Sequence, residues 1–167
     1  MAGLREFKNV VDLDLTGNCL KNAVREIEKL AYLKKLNLSF NSISHSWVCS
    51  KSLESLNLNN NQLRDLTSFN ITCLPSLIHI DVSHNFLQDI SGIQHLSKLK
   101  HFIAHDNNIS NITPLEQLPY LEECNLSSND LADTQIIKSI SHLKSLKLLF
   151  LKDTPIFKTI AQGATDG

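Results

Sequence analysis

One spacing of residues recurs seven times along the 167-residue chain and leaves few folds open to it. Aliphatic residues stand at relative positions 1, 4, 6 and 11, with Asn at position 9. The copies begin at Val10, Leu33, Leu53, Leu77, Leu99, Leu121 and Leu146. Successive starts are 23, 20, 24, 22, 22 and 25 residues apart, and only the last copy replaces Asn, with Thr154. A fixed period in the low twenties implies stacked coils, each unable to bury its own apolar face without its neighbours. Such an array exposes an extended surface in place of a deep pocket, which directs attention to binding.

Within each copy, positions 3 to 7 alternate polar and apolar with the period of a strand. Positions 4 and 6 are expected in the core, and positions 3, 5 and 7 are expected to face out. Parallel pairing of successive strands would align equivalent positions into columns. The Asn column (Asn18, Asn41, Asn61, Asn85, Asn107 and Asn129) has a structural reading. A buried carboxamide offers two donors and an acceptor to backbone groups where the chain leaves the strand.

The segments between strands differ. Lys21 to Tyr32, with Val24, Ile27 and Leu30, is predicted as a helix, as is Asp133 to Lys144 with Ile136, Ile140 and Leu143. Apolar residues fall at every third position through Ile90, Ile93, Leu96 and Leu99, and again through Ile112, Leu115, Leu118 and Leu121. That spacing predicts 3-10 turns, and Pro114 and Pro119 interrupt any longer helix. The short step around Ser44 to Ser52 has no room for a helix, and Trp47 is expected to plug the outer side.

The motif, with this three-residue outer template, resembles the short-repeat intracellular leucine-rich repeat class. That class includes a regulatory subunit of protein phosphatase 1, an axonemal dynein light chain, a spliceosomal protein and tubulin-folding cofactors. The resemblance runs from about residue 4 to residue 156. It implies an α/β solenoid of about seven coils, with a parallel concave sheet and with helices and 3-10 turns on the convex side. One domain is expected over residues 1–167: an N-terminal cap at about 1–9, repeats at about 10–156 and a short tail at 157–167. Members of the class often end in Asn-Pro and an Arg-bearing helix. Thr154-Pro155-Ile156-Phe157 departs from that ending, so the chain is read as a piece of a longer protein.

Composition narrows the partners. Lys plus Arg is 16 against 17 for Asp plus Glu, a balance unlike the basic surfaces that hold nucleic acid or anionic membrane. The expectation is a protein partner, with no nucleic acid, no membrane, no small-molecule substrate and no cofactor. Cys19, Cys49, Cys73 and Cys124 do not form the clustered framework of secreted leucine-rich arrays. They are read as reduced thiols in the cytoplasm, with the cilium or cytoskeleton and the nucleus as alternatives. Sequons at Asn37, Asn70, Asn108, Asn111 and Asn125 are read as by-products of the Asn-Leu-Ser-rich repeat.

The outward columns supply the candidate contacts: Lys35, Asn37, Phe40, Asn57, Asn59, His79, Asp81, His84, His101, Ile103, His105, Glu123, Asn125 and Phe150. Phe40, Ile103, Leu148 and Phe150 are expected to be exposed apolar anchors in a polar sheet. His79, His84, His101 and His105 are expected to form a solvated patch. A divalent-metal site is the less favoured alternative there, since structural zinc sites close four ligands around the ion. No phosphate loop, nucleophile elbow or zinc-protease motif is present, so no catalytic residue is assigned. The functional expectation is a non-catalytic adaptor or regulatory module gripping a protein on its concave face. A rigid segment of a larger cytoskeletal or ciliary protein is the alternative, and a fragment of a secreted receptor the third.

Overall fold

The computed structural model describes residues 6–22, 25–45, 49–67 and 71–157. Seven three-residue strands form one parallel sheet in sequence order. They are β1 (Asp12–Asp14), β2 (Lys35–Asn37), β3 (Ser55–Asn57), β4 (His79–Asp81), β5 (His101–Ile103), β6 (Glu123–Asn125) and β7 (Leu148–Phe150). Register is kept from coil to coil: Leu36 pairs with Leu56, Ile80 with Phe102, and Cys124 with Leu149. Equivalent motif positions therefore stack in columns, because every coil inserts the same residue types at the same step.

The strands are shorter than the alternation suggested and cover positions 3 to 5 only. Parallel hydrogen bonding nevertheless continues past them, from Leu38 N–H to Asn57 O at 2.8 Å and from Phe40 N–H to Asn59 O at 3.0 Å. Between the strand and the turn, Ser39 and Ser83 are buried at position 7 instead of facing out. A side chain this small can sink where the chain bends inward, while Asn59, His105 and Ser127 stay partly exposed.

The core consists of the aliphatic columns. Position 4 stacks Leu36, Leu56, Ile80, Phe102 and Cys124, and position 6 stacks Leu38, Leu58, Val82, Ala104 and Leu126, all buried. The largest side chain of the first column, Phe102, shares its coil with the smallest of the second, Ala104, which conserves interior volume. Each fully buried Leu or Ile contributes about 1.5–3 kcal/mol relative to exposure. The end coils receive less, since among the described residues each has a neighbour on one side only. Leu13 and Leu15 are partly buried, and Leu149, expected inside, is 38% exposed.

The convex side is mostly 3-10 turns: Arg25–Lys29, Ile71–Cys73, Ile93–His95 and Thr113–Gln117. Among the described residues one α-helix, α1 (Gln135–Ser141), occupies the longest return, as its spacing predicted. The helix expected over Lys21 to Tyr32 is instead the five-residue turn Arg25–Lys29. Ile27 and Leu30 are three apart, which is the eclipsing period of a 3-10 turn, and both are buried. Val24, Trp47 and the sequon at Asn70 lie outside the described residues, as do most of the expected N-terminal cap and residues 158–167 of the tail.

Candidate functional site: the concave face and its histidine clusters

Strand-to-turn geometry fixes how each outward side chain is presented. The Asn column performs the turn. Asn85 Nδ2 donates to Leu58 O, Val82 O and Ser83 O at 3.0, 3.0 and 3.1 Å, and its Oδ1 accepts the Leu63 N–H at 2.9 Å. Asn41, Asn61, Asn107 and Asn129 repeat this set, each bonding to its own coil and to the preceding one. Asn18 has no described coil before it; it is exposed, and its amide donates to Thr16 O at 3.2 Å.

Position 8 follows in the left-handed region in every coil. Gly17, Phe40, Asn60, His84, Asp106, Ser128 and Asp153 have φ between 52° and 69°. Asn, Asp and His tolerate this conformation better than other non-Gly residues, whereas a bulky aromatic is a genuine outlier there. Phe40, at φ 54°, is also 62% exposed.

Position 5 holds a second turn device that the sequence reading overlooked. The side-chain oxygens of Asp14, Asn37, Asn57, Asp81 and Asn125 each accept the backbone N–H two residues on, at 2.8–3.1 Å. This is an Asx turn, and Asn or Asp at five of seven positions was the available signal. Asn37, Asn57, Asp81 and Asn125, chosen as contact candidates, thus also brace the sheet edge. Ile103 interrupts the column with a side chain that cannot accept a bond, and it is half-buried where full exposure was expected.

The expected four-histidine patch divides into two clusters. His79 and His101 are register partners in β4 and β5, with ring centroids 5.7 Å apart. His101 Nδ1 donates to Glu123 Oε2 at 3.0 Å. Partial burial, and then the neighbouring His101, lower the His79 pKa below its ordinary value. Nearer the turn, His84 and His105 meet edge to face at 4.7 Å. Asp106 Oδ2 lies 2.7 Å from His105 Nδ1 and 3.6 Å from His84 Nδ1. The hydrogen bond from His105, with smaller contributions from the charges of His84 and His105, lowers the Asp106 pKa.

The remaining candidates lie apart from these clusters. Lys35 is exposed on β2, Asn59 is half-buried after β3, and Phe150 is 44% exposed on β7 beside Leu148 at 50%. Position 2 carries a charge ladder that was also missed. Glu122 accepts from Lys100 at 2.8 Å and Lys147 at 2.6 Å, and Lys34 pairs with Glu54 at 2.8 Å.

Seven coils in strict register, turned by a ladder of buried asparagines, define a leucine-rich repeat solenoid. The fold is that of leucine-rich repeats, and the family model described as Leucine Rich repeats (2 copies) matches residues 51–95. The chain resembles the protein phosphatase 1 regulatory inhibitor subunit PPP1R7 homolog of Arabidopsis thaliana, with 31% identity over 84% of this chain and 44% of that protein. The chain thus spans under half the length of that relative. Among solved structures, an internalin from Listeria monocytogenes superposes with a TM-score of 0.78 at 22% identity, over 90% of this chain and 44% of that one. TLR13, solved in complex with ssRNA13, superposes with a TM-score of 0.77 at 24% identity, over 90% of this chain and 23% of that one. Both likenesses concern the fold.

Proposed function

We propose that this chain is a non-catalytic protein-interaction module that engages a partner on its concave face, in an adaptor or regulatory role. The carrying observation is Phe40. An exposed aromatic held in a left-handed backbone conformation is costly to the free protein, by about 1–2 kcal/mol. Residues retained in such conformations cluster at binding sites, where the contact offsets the strain. Around it the sheet is polar and rich in amides, the setting in which an apolar anchor dominates an interface. Similarity to a phosphatase regulatory subunit supports this reading and makes protein phosphatase 1 the first partner to test. A near-neutral chain favours protein over RNA as ligand. The module works in the cytoplasm with its thiols reduced, and residues 1–167 form one domain.

The test exchanges contact residues for those found at the same positions in other coils, which preserves the fold. Phe40→Asn, His79→Ser, His101→Ser and Ile103→Asn are combined, following Asn60, Ser55 and Asn57. The catalytic subunit of protein phosphatase 1 and a crosslinked cell extract are each offered to both chains. Loss of capture with an unchanged circular dichroism spectrum supports the concave site. Undiminished capture excludes it.

A second reading, a rigid segment of a larger assembly, is favoured by the last strand. Leu148, Leu149, Phe150 and Phe157 are all exposed at that end. A longer chain that unfolds at the same urea concentration as residues 1–167 argues against this reading.

A further inference from the structure

We propose that His84, His105 and Asp106 form a binding site for a divalent transition-metal ion of the zinc type. They are the one group of three His, Cys, Asp or Glu residues, among those described, whose ligand atoms all lie within 4.8 Å of one another. Two imidazoles and a carboxylate are the donor set of open zinc sites, in which water or another molecule supplies the fourth ligand. Bonds of about 2.0–2.1 Å at tetrahedral angles place ligand atoms about 3.3 Å apart. The observed separations of 2.7 Å for His105 to Asp106 and 3.6 Å for His84 to Asp106 bracket that value. The third pair, His84 and His105, has its ligand atoms within 4.8 Å.

The backbone makes the cluster. His84 and Asp106 occupy the left-handed position 8 of successive coils, at φ 52° and 55°. His105 precedes Asp106, and its ring stands edge-on to that of His84. Without the ion, the His105 Nδ1–H donates to Asp106. On binding, that proton is released to solvent and both nitrogens and the carboxylate oxygen turn to the metal. The other histidine cluster differs: His79, His101 and Glu123 do not bring three ligand atoms within that span. The site stands independently of the docking proposal, whose variants leave all three ligands in place.

The experiment uses the whole chain. Zn2+ is titrated calorimetrically, and Co2+ is used as an optical probe of the ligand atoms. Variants are His84→Asn and His105→Ser, which take residues found at those positions in other coils, and Asp106→Asn, which removes only the charge. About one equivalent of Zn2+ is expected, weakened at least about tenfold by each variant, a conservative figure since even outer-shell changes reach it. His79→Ser and His101→Ser should leave affinity unchanged. The Co2+ spectrum should lack the thiolate charge-transfer band. Three results each overturn the site: wild-type affinity no greater than that of the His84→Asn/His105→Ser chain, loss of binding in Cys19→Ser, or a thiolate band. Circular dichroism of every variant separates ligand loss from unfolding.

Discussion

Asn85 Oδ1 accepts the backbone N–H of Leu63 at 2.9 Å, a residue one full coil earlier in the chain. The same amide holds carbonyls of both coils, so one side chain joins two successive turns. Asn85→Leu removes donors and acceptor together and leaves buried backbone groups unpaired. It should cost about 1–3 kcal/mol, read as a lower urea midpoint. Asn18→Leu removes only an exposed bond to Thr16 and should cost far less. Equal losses at the two positions would refute the ladder as the stabilising device.

Phe40 predicts the opposite sign. Phe40→Asn keeps the left-handed turn with a residue that tolerates it and loses little packing, because the ring is 62% exposed. Stability should rise by roughly 0.5–1 kcal/mol, a fraction of the ordinary left-handed penalty. Affinity for the concave-face partner should fall about tenfold or more, as expected of an interface anchor. Differential urea unfolding and a binding titration give the two numbers. A residue selected for folding alone would show stability falling.

Much of this architecture could be read from residue spacing because the fold is written in local repeats. Leu56 and Leu58 must point inward if Asn61 closes the turn, and seven repetitions remove any ambiguity of register. What escaped depends on geometry between coils. Ile27 and Leu30 are compatible with either helix type until the neighbouring coil sets the available height. Ser83 is buried because its coil bends there, which its polarity does not foretell. The pairing of His84 with His105 and Asp106 arises from adjacent columns at positions 7 and 8, and a list of outward residues does not distinguish it from the His79–His101 pair. Glu122 between Lys100 and Lys147 was visible as alternating charge at position 2, yet only stacking gives it meaning.

That lysine pair sets the titration of Glu122. Hydrogen bonds from Lys100 and then Lys147 bring its pKa down to about 2. The depressed value means that the native state binds fewer protons than the unfolded chain between about 2 and the ordinary value of about 4.3. The stabilisation is therefore complete above that ordinary value and disappears as pH falls through about 2. Carboxyl chemical shifts should show the low midpoint in the native chain. Lys100→Met should move it upward, and so should added salt, because the pair is solvent-exposed.

His79 responds in a higher pH window. Burial and the nearby His101 lower its pKa, so the folded chain binds fewer protons than the unfolded one from about 6.5 down to the lowered value. Stability attributable to His79 should fall as pH drops through that window, with the native state resisting a charge that the unfolded state accepts. His79→Ser should flatten the fall in urea midpoint between neutral and mildly acidic pH. The expected difference is one of slope. Parallel curves would show that the ring is not held neutral by its position between the sheet and His101.

The four thiols offer a check on burial that requires no partner. Cys124 fills a position-4 slot in the core, and desolvation pushes its pKa up to about 12. Cys19 is exposed beside the first turn. Because the thiolate is the nucleophile, alkylation at neutral pH should begin at Cys19 and reach Cys124 only through unfolding. Cys49 and Cys73 are partly covered, and Cys49 is shifted upward by its contact with Cys73, so its labelling should fall between these extremes. Mass spectrometry of time points resolves the order by peptide. Adding urea below the unfolding midpoint should accelerate Cys124 in proportion to the unfolded population while leaving Cys19 almost unchanged. Early labelling of Cys124 in native buffer would mean that position 4 of the sixth coil opens locally, which the uninterrupted stack from Leu36 to Cys124 forbids.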